Sequence, residues 1–259
     1  MNAPLVILQL TDLHFLAESG QTMSGVDTEL SFRQTLEYAQ SEQGKADLIL
    51  VTGDLAQDPC LSSYQRIVKE LEKYKTRTVC LPGNHDDLAL MQQLISDKQV
   101  NCEKHLKYKH WQVISLNSKK PGSQGGYLAS DELDYLADIL NKQADLNTLI
   151  AVHHHPVPTN SPWMDKMMIE NGEALFSLLK NYPQVKAIIC GHIHQELVTH
   201  KNNTMILGTP STCFQFKPLC TEYTLDSRQP GYRILQLFPN GSIKSNVYRL
   251  PFGLGGFPK

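Results

Sequence analysis

The 259-residue chain lacks any apolar run long enough to cross a bilayer, which argues against an integral membrane protein. Its six cysteines form no CxxC pair and no dense framework, so we expect reduced thiols and no disulfide scaffold. No basic segment and no cleavage site accompany the first apolar stretch, Leu5–Leu10. We therefore expect no signal peptide and a cytoplasmic protein.

The chain also lacks an excess of charge of either sign. Lysine and arginine number 24 against 26 aspartates and glutamates, which gives a formal net charge of −2. A neutral-to-acidic chain lacks the excess positive charge that binds a nucleic-acid backbone, so polymeric DNA and RNA are disfavoured as partners. Small anionic substrates stay compatible with this balance. The hydrophobic fraction of 41% is ordinary for a globular protein, and we expect one domain over 1–259 with no internal repeat.

Short apolar runs alternate with segments of helical periodicity, which predicts βαβ-like units. The predicted strands are Leu5–Leu10, Asp47–Thr52, Thr76–Leu81, Trp111–Leu116, Thr148–Val152 and Val185–Cys190. The predicted helices are Ser31–Ser41, Ser62–Tyr74, Leu88–Ile95, Ser130–Asn141 (with Ser130 as its cap) and Glu173–Asn181. This alternation indicates an α/β fold.

The last part of the chain has a different pattern of predicted secondary structure. Residues 204–250 are rich in short strand patterns, including Tyr232–Phe238 and Ile243–Arg249 on either side of a turn at 239–242. The glycine-rich segment within 251–259 predicts a loose tail.

Five clusters of polar residues follow the predicted strands. They are Asp12-Leu13-His14, Gly53-Asp54, Gly83-Asn84-His85-Asp86, His153-His154-His155 and Gly191-His192-Ile193-His194. Ligands of α/β sheets bind beyond the carboxyl ends of the strands, so these clusters can converge. Each one alone is as compatible with a turn or a helix cap, but all five together indicate a metal site. Their mixture of oxygen donors and imidazoles suits two small cations better than one tetrahedral zinc.

The five clusters resemble the signature of the calcineurin-like metallophosphoesterases: D-x-H, G-D, G-N-H-[DE], H and G-H-x-H in this order. The resemblance is closest to the class III 3′,5′-cyclic nucleotide phosphodiesterases and covers nearly the whole chain. Segments that carry it beyond the clusters are Ile7–His14, Trp163-Met164-Asp165, Cys190–Glu196, Thr209–Pro218 and Pro230–Arg233. The resemblance implies a four-layer αββα sandwich with a binuclear metal site at the strand carboxyl ends.

The resemblance also implies a ligand set. Asp12, His14 and His194 are expected to hold one metal ion; Asn84, His154 and His192 hold the second, and Asp54 bridges the two. Iron and manganese are the family expectation, and zinc also suits such ligands.

The histidine triplet needs a choice, because successive side chains of an extended segment point in opposite directions. In related sequences the ligand lies two residues before the proline, which favours His154. His153 is then expected to face the core, and His155 the rim.

The implied reaction is hydrolysis of cyclic AMP to 5′-AMP by a hydroxide shared between the two metal ions. The phosphate is expected to lie over His14, Asp54, Asn84, His85 and His194. The ribose alkoxide is a poor leaving group, so a general acid is valuable, and His85 is the candidate. Asp86 is expected to hydrogen-bond the His85 ring and fix its tautomer.

The sequence leaves several alternatives open. Trp163, Phe214 and Gln215 are candidates for base recognition, but an aromatic residue that only packs explains Trp163 equally well. The substrate could instead be a 2′,3′-cyclic nucleotide, another small phosphodiester or a phosphomonoester. A non-catalytic metal-binding scaffold is a third alternative, which the complete ligand set disfavours. A monomer and a homodimer are equally compatible with the sequence.

Overall fold

The computed structural model describes residues 3–251, so the predicted loose tail lies, apart from position 251, outside the described residues. The described residues form sixteen strands: β1 (Leu5–Leu10), β2 (Thr22–Met23), β3 (Val26–Asp27), β4 (Leu48–Thr52), β5 (Thr78–Leu81), β6 (Val100–Asn101), β7 (His105–Lys107), β8 (Trp111–Ser115), β9 (Asn147–Val152), β10 (Val185–Cys190), β11 (Leu197–Lys201), β12 (Thr204–Gly208), β13 (Gln215–Phe216), β14 (Leu225–Asp226), β15 (Gly231–Leu237) and β16 (Ile243–Arg249). The helices are α1 (Thr28–Gln43), α2 (Leu61–Glu72), α3 (Leu88–Leu94), α4 (Ser130–Lys142), α5 (Pro162–Asp165) and α6 (Gly172–Leu179).

Two six-stranded sheets form the centre of the fold. The first has the order β16-β15-β1-β4-β5-β6, and the second has the order β11-β12-β10-β9-β8-β7. Strands β1, β4, β5 and β6 run parallel to one another, as do β8, β9, β10 and β12. These parallel strands are nearly continuous apolar runs because both faces of each sheet are covered.

Three apolar layers hold these elements together. Side chains of both sheets, such as Leu50 and Leu149, form a core between the sheets. Phe32 of α1 and Ile67 of α2 pack on the outer face of the first sheet. Leu136 of α4 and other apolar residues pack on the outer face of the second. The predicted four-layer αββα sandwich is therefore confirmed.

The principal predicted strands and helices are confirmed, with ends that differ by up to three residues. Helix α1 begins at Thr28, before the predicted Ser31, because the side chain of Asp27 accepts a hydrogen bond from the Leu30 N–H and caps the helix. The predicted cap of α4 is wrong: Ser130 is the first helical residue, and Ala129 precedes it without a side-chain cap.

The buried side chain of Arg233 on β15 ties the two sheets together. Its guanidinium donates to the Gly208 carbonyl of β12 at 2.7 Å, to Thr209 Oγ1 at 3.0 Å and to Ser245 Oγ at 2.6 Å. Burial lowers the pKa of Arg233 to about 10. Neutral oxygens therefore satisfy this buried cation near the carboxyl ends of the strands.

Within residues 3–251, no helix combines the length and the apolar character that crossing a bilayer requires. All six cysteines are free thiols.

Candidate metal centre

Five strand ends of the two sheets deliver polar side chains to one place. Strands β1, β4 and β5 of the first sheet end just before the clusters at 12–14, 53–54 and 83–86. Strands β9 and β10 of the second end just before 153–155 and 191–194. The predicted convergence is confirmed, since several overlapping groups of these side chains have donor atoms within 4.8 Å of one another.

Five of these residues adopt a backbone conformation that side chains other than glycine rarely take. Their φ angles are positive, between 47° and 65°: Asp12, His14, Asp54, His192 and His194. Such strain persists only where the surroundings enforce it, and it concentrates at functional sites. The backbone here is shaped to aim these side chains inward.

Two glycines allow the clusters to approach closely. A Cβ atom at Gly83 would collide with the Asp54 carboxylate, and one at Gly191 would collide with Thr11 Oγ1. The G-N-H and G-H-x-H patterns therefore need glycine because a side chain has no space at these two positions.

One half of the centre consists of Asp12, His14 and His194. The Nε2 atoms of His14 and His194 lie 3.2 Å apart, and His194 Nε2 lies 3.5 Å from Asp12 Oδ1. His14 Nδ1 donates to Gln57 Oε1 at 2.9 Å, and His194 Nδ1 donates to the Phe214 carbonyl at 2.8 Å. Because each Nδ1 proton is donated to an oxygen away from the centre, the Nε2 lone pairs of both rings face the centre, as in metal-binding histidines.

The other half contains Asp54, Asn84 and His153. His153 Nδ1 donates to the Thr52 carbonyl at 2.9 Å. Its Nε2 lies 3.1 Å from Asn84 Oδ1 and 3.3 Å from Asp54 Oδ2. Buried His192 lies beside this group, and its Nε2 has no hydrogen-bond partner among the described residues.

The histidine triplet differs from the sequence-based expectation. The prediction that His153 faces the core is wrong, since its Nε2 points at Asp54 and Asn84. The prediction that His155 lies at the rim is also wrong: its side chain is fully buried, with Nε2 3.7 Å from Asp165 Oδ1. The residues after β9 are not extended, so the strict alternation of a strand does not apply to them.

His154, the expected ligand, lies next to His153 and His192 but has both ring nitrogens engaged. Its Nε2 donates to the Gln124 carbonyl at 3.2 Å, which leaves Nδ1 to accept from Ser118 Oγ at 2.7 Å. In this arrangement Nε2 of His153 points at Asp54 and Asn84, whereas both ring nitrogens of His154 are hydrogen-bonded to other groups, although one of them lies within 4.8 Å of donor atoms of His153 and His192. The geometry thus favours His153.

The role expected of Asp86 is also corrected. Its carboxylate accepts from the backbone N–H groups of Gly83, Leu55 and Ala56 at 2.9–3.1 Å, and from the Tyr64 hydroxyl at 3.0 Å. These four donors occupy it, and the predicted bond to the His85 ring is not formed. Burial, followed by the charge of Asp54, raises the pKa of Asp86. Asp86 therefore joins the 53–56 loop to the 83–87 loop.

His85 keeps a position suited to substrate. Its backbone N–H donates to Asp54 Oδ1 at 3.0 Å, and its partly exposed ring lies edge-on to that of His14 with 5.2 Å between the centroids. The ring lines the cavity above the centre. The His85 ring can therefore contact a molecule in the cavity without a change in the backbone of its loop.

The electrostatics of the buried groups fit cations at this place. Burial lowers the pKa of His14 to about 4, despite the opposing charge of Asp54, so the ring is neutral and offers a lone pair. Burial would also lower the pKa of His153, but the Asp54 carboxylate raises it to about 9. The Nε2 atoms of His14 and His194 face each other, and the carboxylates of Asp12 and Asp54 lie beside imidazole rings. Oxygen and nitrogen donors of this kind bind divalent metals. The donor set therefore fits two metal ions.

A cavity of about 340 Å³ opens over the centre. Of the three residues predicted for base recognition, Trp163 and Phe214 line it. Gln215 does not: its amide donates to the Ser211 carbonyl at 2.9 Å and its Oε1 accepts from Arg249. Sequence reasoning missed Phe216 and Tyr223, which also line the cavity, because nothing local in the sequence brings the 215–226 hairpin over the site.

The fold and this centre define the class of protein. The Calcineurin-like phosphoesterase family matches residues 5–196, which contain all five clusters. The chain belongs to this family.

Several individual proteins are similar to this chain over nearly its whole length. The 3′,5′-cyclic adenosine monophosphate phosphodiesterase CpdA of Haemophilus influenzae is 39% identical, and the alignment covers 94% of this chain and 89% of that protein. CpdA of Escherichia coli K12 is 38% identical with the same coverage. A 3′,5′-cyclic-nucleotide phosphodiesterase of Nostoc is 36% identical over 97% of this chain and 94% of its own.

Solved structures agree on the fold. A dimetal phosphatase from Danio rerio superposes with a TM-score of 0.64 at 13% identity, covering 92% of this chain and 94% of its own. A purple acid phosphatase from yellow lupin gives 0.65 at 13% identity, over 96% of this chain and 54% of that one. At such identities the likeness concerns the architecture alone.

Proposed function

We propose that this protein hydrolyses 3′,5′-cyclic AMP to 5′-AMP at the centre described above. The observation that carries the proposal is the complete set of buried donors beneath an open cavity, in a chain 39% identical to a cyclic AMP phosphodiesterase. A single catalytic domain is sufficient, since clusters and cavity walls all come from the two-sheet core and its loops.

The proposed ligand set keeps six of the seven sequence-based residues. Asp12, His14 and His194 would hold one metal ion, Asn84 and His192 would hold the other, and Asp54 would bind both. We assign the seventh position to His153 in place of His154, because of these two residues only His153 directs its Nε2 atom at Asp54 and Asn84. Iron and manganese are the proposed metals, since both accept mixed carboxylate and imidazole ligands.

Two bound metal ions would polarise the phosphodiester and lower the pKa of a water molecule, which supplies the nucleophile. The residues around them orient the phosphate: His14, Asp54, Asn84, His85 and His194 all line the cavity. The bond from phosphorus to the ribose 3′ oxygen breaks in this reaction. The departing oxygen needs a proton, and the proposed donor is the ring of His85.

The test measures 5′-AMP formation and metal content together for the purified protein reconstituted with manganese or iron. The proposal predicts 5′-AMP and two equivalents of metal per chain. A panel with 2′,3′-cyclic AMP, a glycerophosphodiester and a phosphomonoester ranks kcat/KM. If another substrate exceeds cyclic AMP in kcat/KM by tenfold or more, the proposed substrate is wrong while the metal centre stands.

A further inference from the structure

Three aromatic side chains form one side of the cavity: Trp163, Phe216 and Tyr223, which we call the aromatic wall. The ring centroids of Trp163 lie 5.1 Å from Phe216 and 5.4 Å from Tyr223, and those of Phe216 and Tyr223 lie 5.3 Å apart. All three pairs meet edge to face, an arrangement that stabilises aromatic clusters. The aromatic wall is therefore one packed unit.

The aromatic wall begins at the metal centre. The ring of Phe216 stacks on His194, with centroids 4.2 Å apart and planes inclined by 21°. A molecule whose phosphate lies over His194 therefore has the aromatic wall as its immediate neighbour. One end of the cavity is polar, and the adjoining side is apolar and aromatic.

The chain holds the wall in place from two separate segments. Trp163 lies on α5, whereas Phe216 and Tyr223 belong to the hairpin of β13 and β14. The Leu219 N–H of this hairpin donates to Ser161 Oγ, directly before α5, at 3.0 Å. This bond fixes the hairpin against α5.

The wall also presents aromatic surface that the protein itself leaves uncovered. Tyr223 is 54% exposed although it lines a cavity, and Trp163 is only partly buried. An exposed aromatic surface beside a buried ionic centre matches a ligand with a flat ring next to a phosphate.

We propose that the aromatic wall binds the base of the nucleotide substrate by stacking, and that it selects purine over pyrimidine cyclic nucleotides. This inference rests on the proposed function, because it assumes a cyclic nucleotide whose phosphate lies over the centre. A purine offers two fused rings to the wall and a pyrimidine one, so loss of the wall costs the purine more. Stacking on an aromatic side chain accepts every base, so the selection is a preference that follows from the stronger stacking of the larger purine ring. Removal of one such ring typically weakens binding roughly five- to hundredfold.

The first test is binding to the metal-free protein, which needs no turnover. The chain has two tryptophans, and Trp111 is buried on β8, so quenching of fluorescence by added cyclic AMP reports Trp163. We expect saturable quenching by cyclic AMP and by adenosine, weaker quenching by cyclic CMP, and none by ribose 5-phosphate. Equal quenching by cyclic AMP and ribose 5-phosphate, or none by either nucleotide, would overturn the proposal.

The second test is kinetic and uses Tyr223→Ala, Tyr223→Phe and Trp163→Phe. In Tyr223→Ala, KM for cyclic AMP should rise roughly tenfold with kcat nearly unchanged, and the preference for cyclic AMP over cyclic CMP should shrink. The two Phe variants keep a ring and should stay within about threefold of wild type. The matched control is Tyr127→Ala, since Tyr127 is 43% exposed and lies outside the cavity.

The two proposals fail in different ways. If wild type hydrolyses cyclic AMP and Tyr223→Ala keeps its KM and its base preference, the wall has no role in base binding and the phosphodiesterase function stands. If wild type leaves cyclic AMP intact while the quenching series behaves as expected, the reaction is wrong and the base site stands. Circular dichroism of each variant separates both results from loss of fold.

Discussion

The metal centre and the aromatic wall lie against each other in one cavity but differ in their burial and in the elements that carry them. The centre is buried, its residues lie at the ends of central strands, and five of them hold strained φ angles between 47° and 65°. The wall is partly exposed and is carried by a four-residue helix and a short hairpin at the periphery. Side chains suited to holding charged ligands are placed by the core of the fold, whereas the aromatic side chains proposed to bind the base lie on a short helix and a hairpin.

The largest effects should arise within the centre, and the neighbouring histidines offer a matched pair. His153→Ala removes the only Nε2 atom of the triplet that points at Asp54 and Asn84, so bound metal should fall from two equivalents to about one and activity should be lost. His154→Ala removes hydrogen bonds to Ser118 and Gln124 and should keep both metals. Metal analysis of the purified variants measures the difference. The reverse pattern would restore His154 as the ligand.

Replacement of His85 should slow the reaction without emptying the centre. We expect His85→Ala to retain both metals and to lose about 10²–10⁴-fold in kcat for cyclic AMP, the usual contribution of a general acid. A substrate with a good leaving group, such as a p-nitrophenyl phosphodiester, needs less proton donation and should lose much less. An equal loss with both leaving groups would argue that His85 does not donate the proton.

Asp86 should matter for stability more than for chemistry. Asp86→Ala leaves three backbone N–H groups and the Tyr64 hydroxyl without their acceptor, and we expect a loss of about 3 kcal/mol in the free energy of unfolding. Tyr64→Phe removes one of these bonds and should cost about 1 kcal/mol. Denaturant titration measures both. If Asp86→Ala is as stable as wild type, the hydrogen bonds of Asp86 between the two loops do not contribute to the free energy of unfolding.

The smallest effect should come from within the wall. Phe216→Leu keeps an apolar side chain beside His194 but removes the ring that links Trp163 and Tyr223. We expect KM for cyclic AMP to rise a few-fold and metal content to stay at two equivalents. Loss of metal in this variant would show that wall and centre are not separable.

The sequence predicted the centre better than the wall for a physical reason. Each strand that leads to a ligand cluster is a compact apolar run, and the rule that ligands lie beyond strand carboxyl ends then brings Asp12, Asp54 and His192 together. The four-layer architecture followed from the family resemblance. The wall depends on how the hairpin at 215–226 folds over the cavity, and two-residue strands leave no periodic signal.

Within the centre, the sequence failed where local geometry departs from regular structure. The reasoning about His153, His154 and His155 assumed an extended segment, but β9 ends at Val152 and the triplet turns. Adjacency in the sequence also suggested that Asp86 serves His85. The carboxylate instead faces the backbone N–H groups of two loops, a contact between residues 30 and 31 positions apart that no local pattern reveals.

The most direct test of the account is metal content and 5′-AMP formation measured on the same preparation of wild-type protein. The account predicts two equivalents of iron or manganese per chain, and conversion of 3′,5′-cyclic AMP to 5′-AMP that stops when a chelator removes the metal. A protein that binds two equivalents and leaves cyclic AMP unchanged, or that hydrolyses it equally well without metal, would contradict it.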